Sequence, residues 1–301
     1  MRELDADLGG PVHYVDYGGQ GTPIVLVHGL GGSRLNWLTV GPELARRNRV
    51  FAIELIGHGL TPLAGRKATL ANHGRIIHDF ITRVAGEPAT LIGNSTGGHL
   101  SIMVAALHPE AVAAQVLVDP AVPIPVGGGL PSPVALALAP MLVRGLGEAL
   151  MMANARRITS EQQVYRTLKL VTADHTRIPE DVLQAHLEAA QLRHGNPDAN
   201  QAFLQTGRSL LIANLRRSAF YAQVRRITAP TLVVHGDRDV LVPLRAIRKL
   251  LEVRSDWTLH VFPGLGHVPM LEDPKGFLKV VGDWLSDTAP VGREDSLPTS
   301  G

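Results

Sequence analysis

The chain is punctuated by short apolar runs that do not alternate with polar residues. They are Ile24-Val25-Leu26-Val27, Val50-Phe51-Ala52-Ile53, Thr90-Leu91-Ile92-Gly93, Val116-Leu117-Val118, Thr231-Leu232-Val233-Val234 and Leu259-His260-Val261-Phe262. Runs this short and this unbroken fit strands covered on both faces, as in a parallel sheet between two helical layers. Helical stretches separate them, over residues 76–84, 96–107, 243–253 and 274–285. Strand–helix alternation of this kind predicts an α/β fold with right-handed crossovers. Ahead of the first buried run, Val12 to Tyr17 is rich in strand formers and follows a Gly9-Gly10-Pro11 turn, so residues 1–22 read as a hairpin.

The alternation stops between 121 and 228. That segment opens with Pro and Gly, shows no strong strand pattern, and then reads as helices over 133–152, 160–171, 179–192 and 199–224. It is expected to be a helical cap or lid inserted between two core strands. The division is therefore a core of 1–120 and 229–287, a cap of 121–228, and a polar, disordered tail of 288–301. The cap carries 12 basic against 7 acidic residues, a net +5, and the rest of the chain a net −3. A solvated basic helix face is the expected reading of that excess, with an anion- or membrane-attracting surface as the alternative.

Composition removes several function classes. No cysteine is present, so disulfides, thiolate metal sites and a cysteine nucleophile are excluded. A net charge of +2 with 4% aromatic residues offers neither the basic field nor the stacking platform of a nucleic-acid binder. The N-terminus has no apolar signal core, and no run of apolar residues is long enough to span a bilayer, so a cytoplasmic location is expected.

Chemistry concentrates at the ends of the predicted strands. Gly93-Asn94-Ser95-Thr96-Gly97-Gly98 joins an apolar strand to an apolar helix. A G-x-S-x-G turn in that context forces a tight bend that only small neighbours permit. It lifts the serine hydroxyl over the helix N-terminus, where negative charge is favoured. A serine hydroxyl needs a base, and the base an orienting acid. His235-Gly236-Asp237-Arg238-Asp239 and Gly264-Leu265-Gly266-His267-Val268-Pro269 each follow a buried strand and supply Asp239 and His267. Asp119, at another strand end, and Asp237 are alternative acids; Asp119 is expected to cap the loop that launches the insertion. His28-Gly29-Leu30-Gly31-Gly32 lets a backbone amide turn inward, so the amides of Leu30 and Thr96 are the candidate oxyanion hole. That loop has neither the lysine of a Walker sequence nor the third glycine of a dinucleotide fingerprint, because Arg34 stands there. His73 and His78 are five apart rather than four, so they do not form a one-face metal pair.

In this order, H-G-x-G-G at 28–32, I-G-H-G at 56–59, the elbow at 93–97, H-G-D-R-D at 235–239 and G-H-x-P at 266–269, the chain resembles the α/β-hydrolase superfamily over residues 12–285. It departs from the family in Glu54, where Asp is usual, and in Thr96, where Met or Gln is commoner. The resemblance implies an eight-stranded, mostly parallel sheet with helices on both faces and a helical cap. It also implies acyl transfer by Ser95, His267 and Asp239, with His58 structural. No cofactor or metal is expected. Ser95 at the elbow disfavours the dehalogenases and epoxide hydrolases of similar architecture, which use Asp. A carboxylic-ester hydrolase, esterase- or lipase-like, leads. A carbon–carbon bond hydrolase of aromatic degradation is the alternative, although Val268 stands where such enzymes commonly carry Trp. A cofactor-free perhydrolase and a hydrolase-fold ligand receptor are the remaining readings. The expected partner is a small molecule with an apolar acyl or alkyl group, suggested by Leu136, Leu138, Met141, Leu142, Leu146, Leu150, Met151 and Met152 in the cap, residues that the cap's own core also accounts for.

Overall fold

A computed structural model describes residues 1–125, 140 and 143–288. Eight strands form one sheet in the order β1-β2-β4-β3-β5-β6-β7-β8. They are β1 (Arg2–Asp7), β2 (Pro11–Gly18), β3 (Pro23–Val27), β4 (Arg49–Ile53), β5 (Ala89–Asn94), β6 (Val112–Val118), β7 (Thr231–Gly236) and β8 (Thr258–Phe262). The hairpin strands β1 and β2 pair antiparallel, β2 pairs antiparallel with β4, and every pair from β4 to β8 is parallel. The eight-stranded, mostly parallel sheet expected from the sequence is therefore present. Among the described residues the helices of ten or more residues are α1 (Leu70–Phe80), α2 (Thr96–Leu107), α3 (Leu146–Arg157), α4 (Ser160–Val171), α5 (Glu180–Arg193), α6 (Pro197–Leu215), α7 (Arg217–Arg226), α8 (Leu244–Val253) and α9 (Pro274–Thr288).

Side chains of a strand point alternately to its two faces, so an unbroken apolar run feeds two cores at once. Val25, Val27, Phe51, Ile53, Leu91, Leu117 and Val233 enter one apolar cluster, with Ile76, Ile77 and Phe80 of α1 and Leu100 and Val104 of α2. Ile24, Leu26, Val50, Ala52, Ile92, Val116, Val118, Leu232 and Val234 enter the other, with Trp37, Phe277 and Val281. Two covered faces are the physical reason that these strands show no polar alternation.

Helices α3 to α7 lie between β6 and β7 in the chain. Residues 199–224 do not form the single helix expected. The chain leaves helical geometry at Arg216 (φ −84°, ψ 55°). That bend re-aims α7, so that Phe220 and Val224 are buried in the same apolar cluster as α1 and α2. The last helix of the insertion thus packs as a layer of the core. The start of α9 agrees with expectation, but it runs on through Thr288, one residue into the segment read as tail. The rest of that tail, and Leu136, Leu138, Met141 and Leu142 of the expected apolar lining, lie outside the described residues. Among the described residues no helix is long and apolar enough to cross a membrane.

Candidate active site

Ser95 sits where β5 becomes α2, with φ 54° and ψ −115°. A non-glycine residue in that region is strained and persists only where its surroundings enforce it. They do so here through packing. A Cβ on Gly93 would fall 2.4 Å from the Gly97 carbonyl oxygen, and one on Gly97 would fall 2.1 Å from that of Val27. The bend is also tied to the next strand. Ser95 N–H donates to the Val118 carbonyl at 2.9 Å, and Ala121 N–H donates to the Ser95 carbonyl at 2.9 Å. Ser95 is left partly exposed while Asn94 and Thr96 on either side are buried.

Asn94 links the elbow to the histidine loop. Its Nδ2 donates to the Val118 carbonyl at 3.2 Å and to the His267 carbonyl at 3.0 Å. His267 Nδ1 stands 2.7 Å from Asp239 Oδ2. The other Asp239 oxygen accepts N–H bonds from Leu241 (2.7 Å) and Val242 (3.1 Å), which fixes the carboxylate plane. Burial works against a charged Asp239, but the His267 charge and hydrogen bond overcome it and hold the carboxyl below its ordinary range. Burial likewise disfavours imidazolium at His267, yet the attraction of Asp239, and then of Asp119, leaves its pKa raised. Asp237 does not compete: its Oδ1 is used by the Gly264 amide at 2.7 Å. Asp119 does not cap the loop that launches the insertion. It reaches sideways to β7, where its Oδ1 accepts from Gly236 N–H at 3.0 Å.

The glycine loop at 28–32 is held by its own histidine. Leu55 N–H donates to His28 Nε2 at 3.1 Å, so the ring proton resides on Nδ1, which donates to the Gly29 carbonyl at 2.7 Å. Gly32 N–H donates to the same carbonyl at 3.1 Å. In a trans peptide the Leu30 N–H points opposite to that carbonyl. Burial keeps His28 neutral by pushing its pKa down to about 3. Gly29 also packs against the elbow: a Cβ there would approach the Ser95 Cβ to 3.0 Å. Thr96 is the first residue of α2, so its amide has no intrahelical partner.

Two supporting carboxylates were not assigned such roles from the sequence. Glu54, fully buried, accepts from the amides of Arg34 (3.1 Å) and Leu60 (2.5 Å) and so joins the glycine loop to the I-G-H-G turn. Its extra methylene relative to Asp is used for this span. Glu272, 5% exposed, accepts from the amides of Gly266 (2.6 Å), Ala173 (2.7 Å) and Asp174 (3.0 Å). His267 N–H itself donates to the Val171 carbonyl at the end of α4, at 2.7 Å. The histidine loop is therefore fastened to the inserted helices. The Pro269 and Glu272 positions after the histidine were the available sequence clue. His58 is structural as expected: it is buried, its Nδ1 bonds the Ile56 carbonyl, and burial pushes its pKa down to about 4.

The resemblance read from the motifs has independent support. The chain matches a model of the alpha/beta hydrolase family over residues 24–280. It is 29% identical over 281 residues to a 2-hydroxy-6-oxo-6-(2'-aminophenyl)hexa-2,4-dienoic acid hydrolase of Metapseudomonas resinovorans, covering 91% of this chain and 88% of that protein. It is 28% identical to a 2-hydroxymuconate semialdehyde hydrolase of Pseudomonas sp. strain CF600, covering 89% and 88%. The solved structure of a meta-cleavage product hydrolase from Pseudomonas fluorescens IP01 superposes with a TM-score of 0.76 at 23% identity, covering 95% of this chain and 98% of the other. That likeness speaks for the fold. With the family model matched across most of its length, this chain belongs to the alpha/beta hydrolase family.

Proposed function

We propose that the protein is a serine hydrolase that cleaves a small-molecule carbonyl compound through an acyl-enzyme at Ser95. The observation that carries this reading is the 2.7 Å contact of His267 Nδ1 with Asp239 Oδ2, in a loop that Asn94 ties to the strained serine. His267 accepts the Ser95 proton as the oxygen attacks the carbonyl carbon. Asp239 keeps the ring proton on Nδ1, leaving Nε2 as the base, and stabilises the imidazolium. The N–H groups of Leu30 and Thr96 receive the developing oxyanion. The leaving group takes a proton from His267. Water then attacks the acyl carbon with His267 again as base, which releases the acid and restores Ser95.

The relatives favour a carbon–carbon bond as the scissile bond. Those described above are hydrolases of hydroxy-oxo-dienoates or of a muconate semialdehyde, over nearly their whole length. We assign this chain to that reaction type, acting on a ketone or aldehyde whose departing carbon is stabilised by conjugation. Ester hydrolysis is the second reading, and Val268 favours it, because it departs from the Trp common after the histidine in carbon–carbon bond hydrolases. The two are separated by comparing kcat/KM for a conjugated hydroxy-oxo-dienoate with that for p-nitrophenyl esters of graded acyl length. Preference for the dienoate supports carbon–carbon cleavage, and preference for an ester supports the second reading. Absence of multiple turnover on either class would overturn the enzymatic reading in favour of a ligand receptor.

A further inference from the structure

Beneath the Asp239–His267 pair lies a second carboxylate and a second imidazole that the mechanism leaves unused. Asp119, at the end of β6, is fully buried, and His235, on β7, is fully buried beside it. Asp119 Oδ1 stands 3.0 Å from His235 Nδ1, an ion-pair distance, although neither ring nitrogen of His235 makes a hydrogen bond among the described residues. The same oxygen accepts the Gly236 amide, and the Asp119 amide donates to the Val234 carbonyl at 2.9 Å. Asp119 Oδ2 is buried with no hydrogen-bond partner among the described residues. Ligating atoms of Asp119, His235 and Asp239 all lie within 4.8 Å of one another. Asp119 also has a positive φ of 43°; among the described non-glycine residues it shares that property only with Ser95 and Ala64.

These features are not those of a simple cap. A cap needs one accepting oxygen, and Oδ1 provides it. Leaving the other carboxylate oxygen buried and unpaired is costly, and so is a strained backbone; such costs gather where function requires them. We propose that Asp119 is a positioning residue for the reaction: with His235 it forms a second carboxylate–imidazole pair, which holds the end of β7 that carries the Asp239 loop and places negative charge behind His267. The proposal rests on the reading of Ser95, His267 and Asp239 as the catalytic triad.

The charged or titratable groups acting on Asp119 come from three directions. His235 is on β7, Asp239 is in the loop after β7, and His267 is in the loop after β8. From α2, His99 bonds the Ala121 carbonyl, two residues beyond Asp119, through its Nδ1 and is held neutral by burial. Burial raises the Asp119 carboxyl to about 6, against the opposing pull of His235. Ionised Asp119 favours imidazolium at His267. Removing its charge should therefore make His267 a weaker proton acceptor and carry activity to lower pH.

The test measures kcat/KM from pH 5 to 9 for wild type, Asp119→Asn and His235→Phe on one substrate. Asn keeps an oxygen for the Gly236 amide, so plateau activity should fall only a few-fold. The apparent pKa of the acid limb should drop by about 0.5 unit or more, a factor of about 3 in relative activity below the midpoint. His235→Phe should shift the limb the same way, because Asp119 without its imidazole is less readily ionised. It serves if Asp119→Asn does not fold. The downfield Nδ1 proton of His267, followed by NMR, should move with the limb in whichever variant folds. An acid limb and a resonance that titrate as in wild type would overturn the proposal. An active wild type that is unaffected by Ser95→Ala would overturn the triad reading instead.

Discussion

At the scale of single residues, Ser95 pairs a strained backbone with partial exposure, while its neighbours are buried. Ser95→Ala relieves nothing in the core and removes the nucleophile. It should leave the melting temperature within a few degrees of wild type and lower kcat by about 10³-fold or more. Asp239→Asn preserves shape but favours the wrong imidazole tautomer, and kcat/KM at neutral pH should fall by about 10⁴-fold, as in the serine-protease precedent. Asp237→Asn should cost little, because Asp237 bonds the Gly264 amide and not the ring. A loss at Asp237 equal to that at Asp239 would contradict the assignment. The raised pKa of His267 gives the sign of the pH profile. The base must be neutral, so activity should rise with pH through a limb above 6.5, the ordinary histidine value. A limb below 6.5 would mean that Asp239 does not act on the ring.

At the scale of elements, the strand ends matter more than the strands. Every candidate site residue lies just past a strand, and all of them gather at the C-terminal edge of the sheet, where open parallel sheets place their sites. Residue type and flanking pattern point to Ser95, Asp239 and His267 as candidates, because a G-x-S-x-G turn, an acid loop and a histidine loop have local chemistry. The fastening of His267 was not legible, because Val171 and Ala173 are distant in the chain and act through backbone groups, which have no sequence signature. The break at Arg216 was hidden for a related reason: apolar periodicity continues through it, and only tertiary packing of Phe220 and Val224 reveals the turn. Glu272 carries the clearest prediction at this scale. Glu272→Gln sets an amide group among three N–H donors, and should cost about 1–3 kcal/mol of stability. Because the loop it holds carries His267, kcat should fall by more than KM changes. A change confined to KM would contradict a role in placing the base.

At the scale of the whole molecule, two apolar layers enclose the sheet, and a third set of polar contacts fixes the insertion to it. His73 Nε2 meets Thr206 Oγ1 of α6 at 2.9 Å, the Ser209 hydroxyl accepts the Leu70 amide, and Arg193 of α5 donates to the Gly57 carbonyl. His28, His58 and His73 line this junction, with ring centroids 5.4 and 5.9 Å apart in succession, and all three are kept neutral by burial. Their folded pKa values lie below 6.5, so the unfolded chain binds protons first as pH falls. Stability is therefore full above 6.5 and is lost toward the folded values, by about 2 kcal/mol each for His28 and His58 at pH 5, and His73 adds in the same direction. Asp119 and His267, whose pKa values are raised, work in the opposite sense but are two groups against three. Urea midpoints should accordingly drop between pH 7 and pH 5, and unchanged midpoints would contradict this account of the junction. That one serine does the chemistry can be checked across the whole chain by reaction with a fluorophosphonate followed by peptide mapping. One adduct is expected, on Ser95, absent in Ser95→Ala and formed much more slowly in Asp239→Asn. An adduct on any other residue, or undiminished labelling of Ser95→Ala, would contradict it.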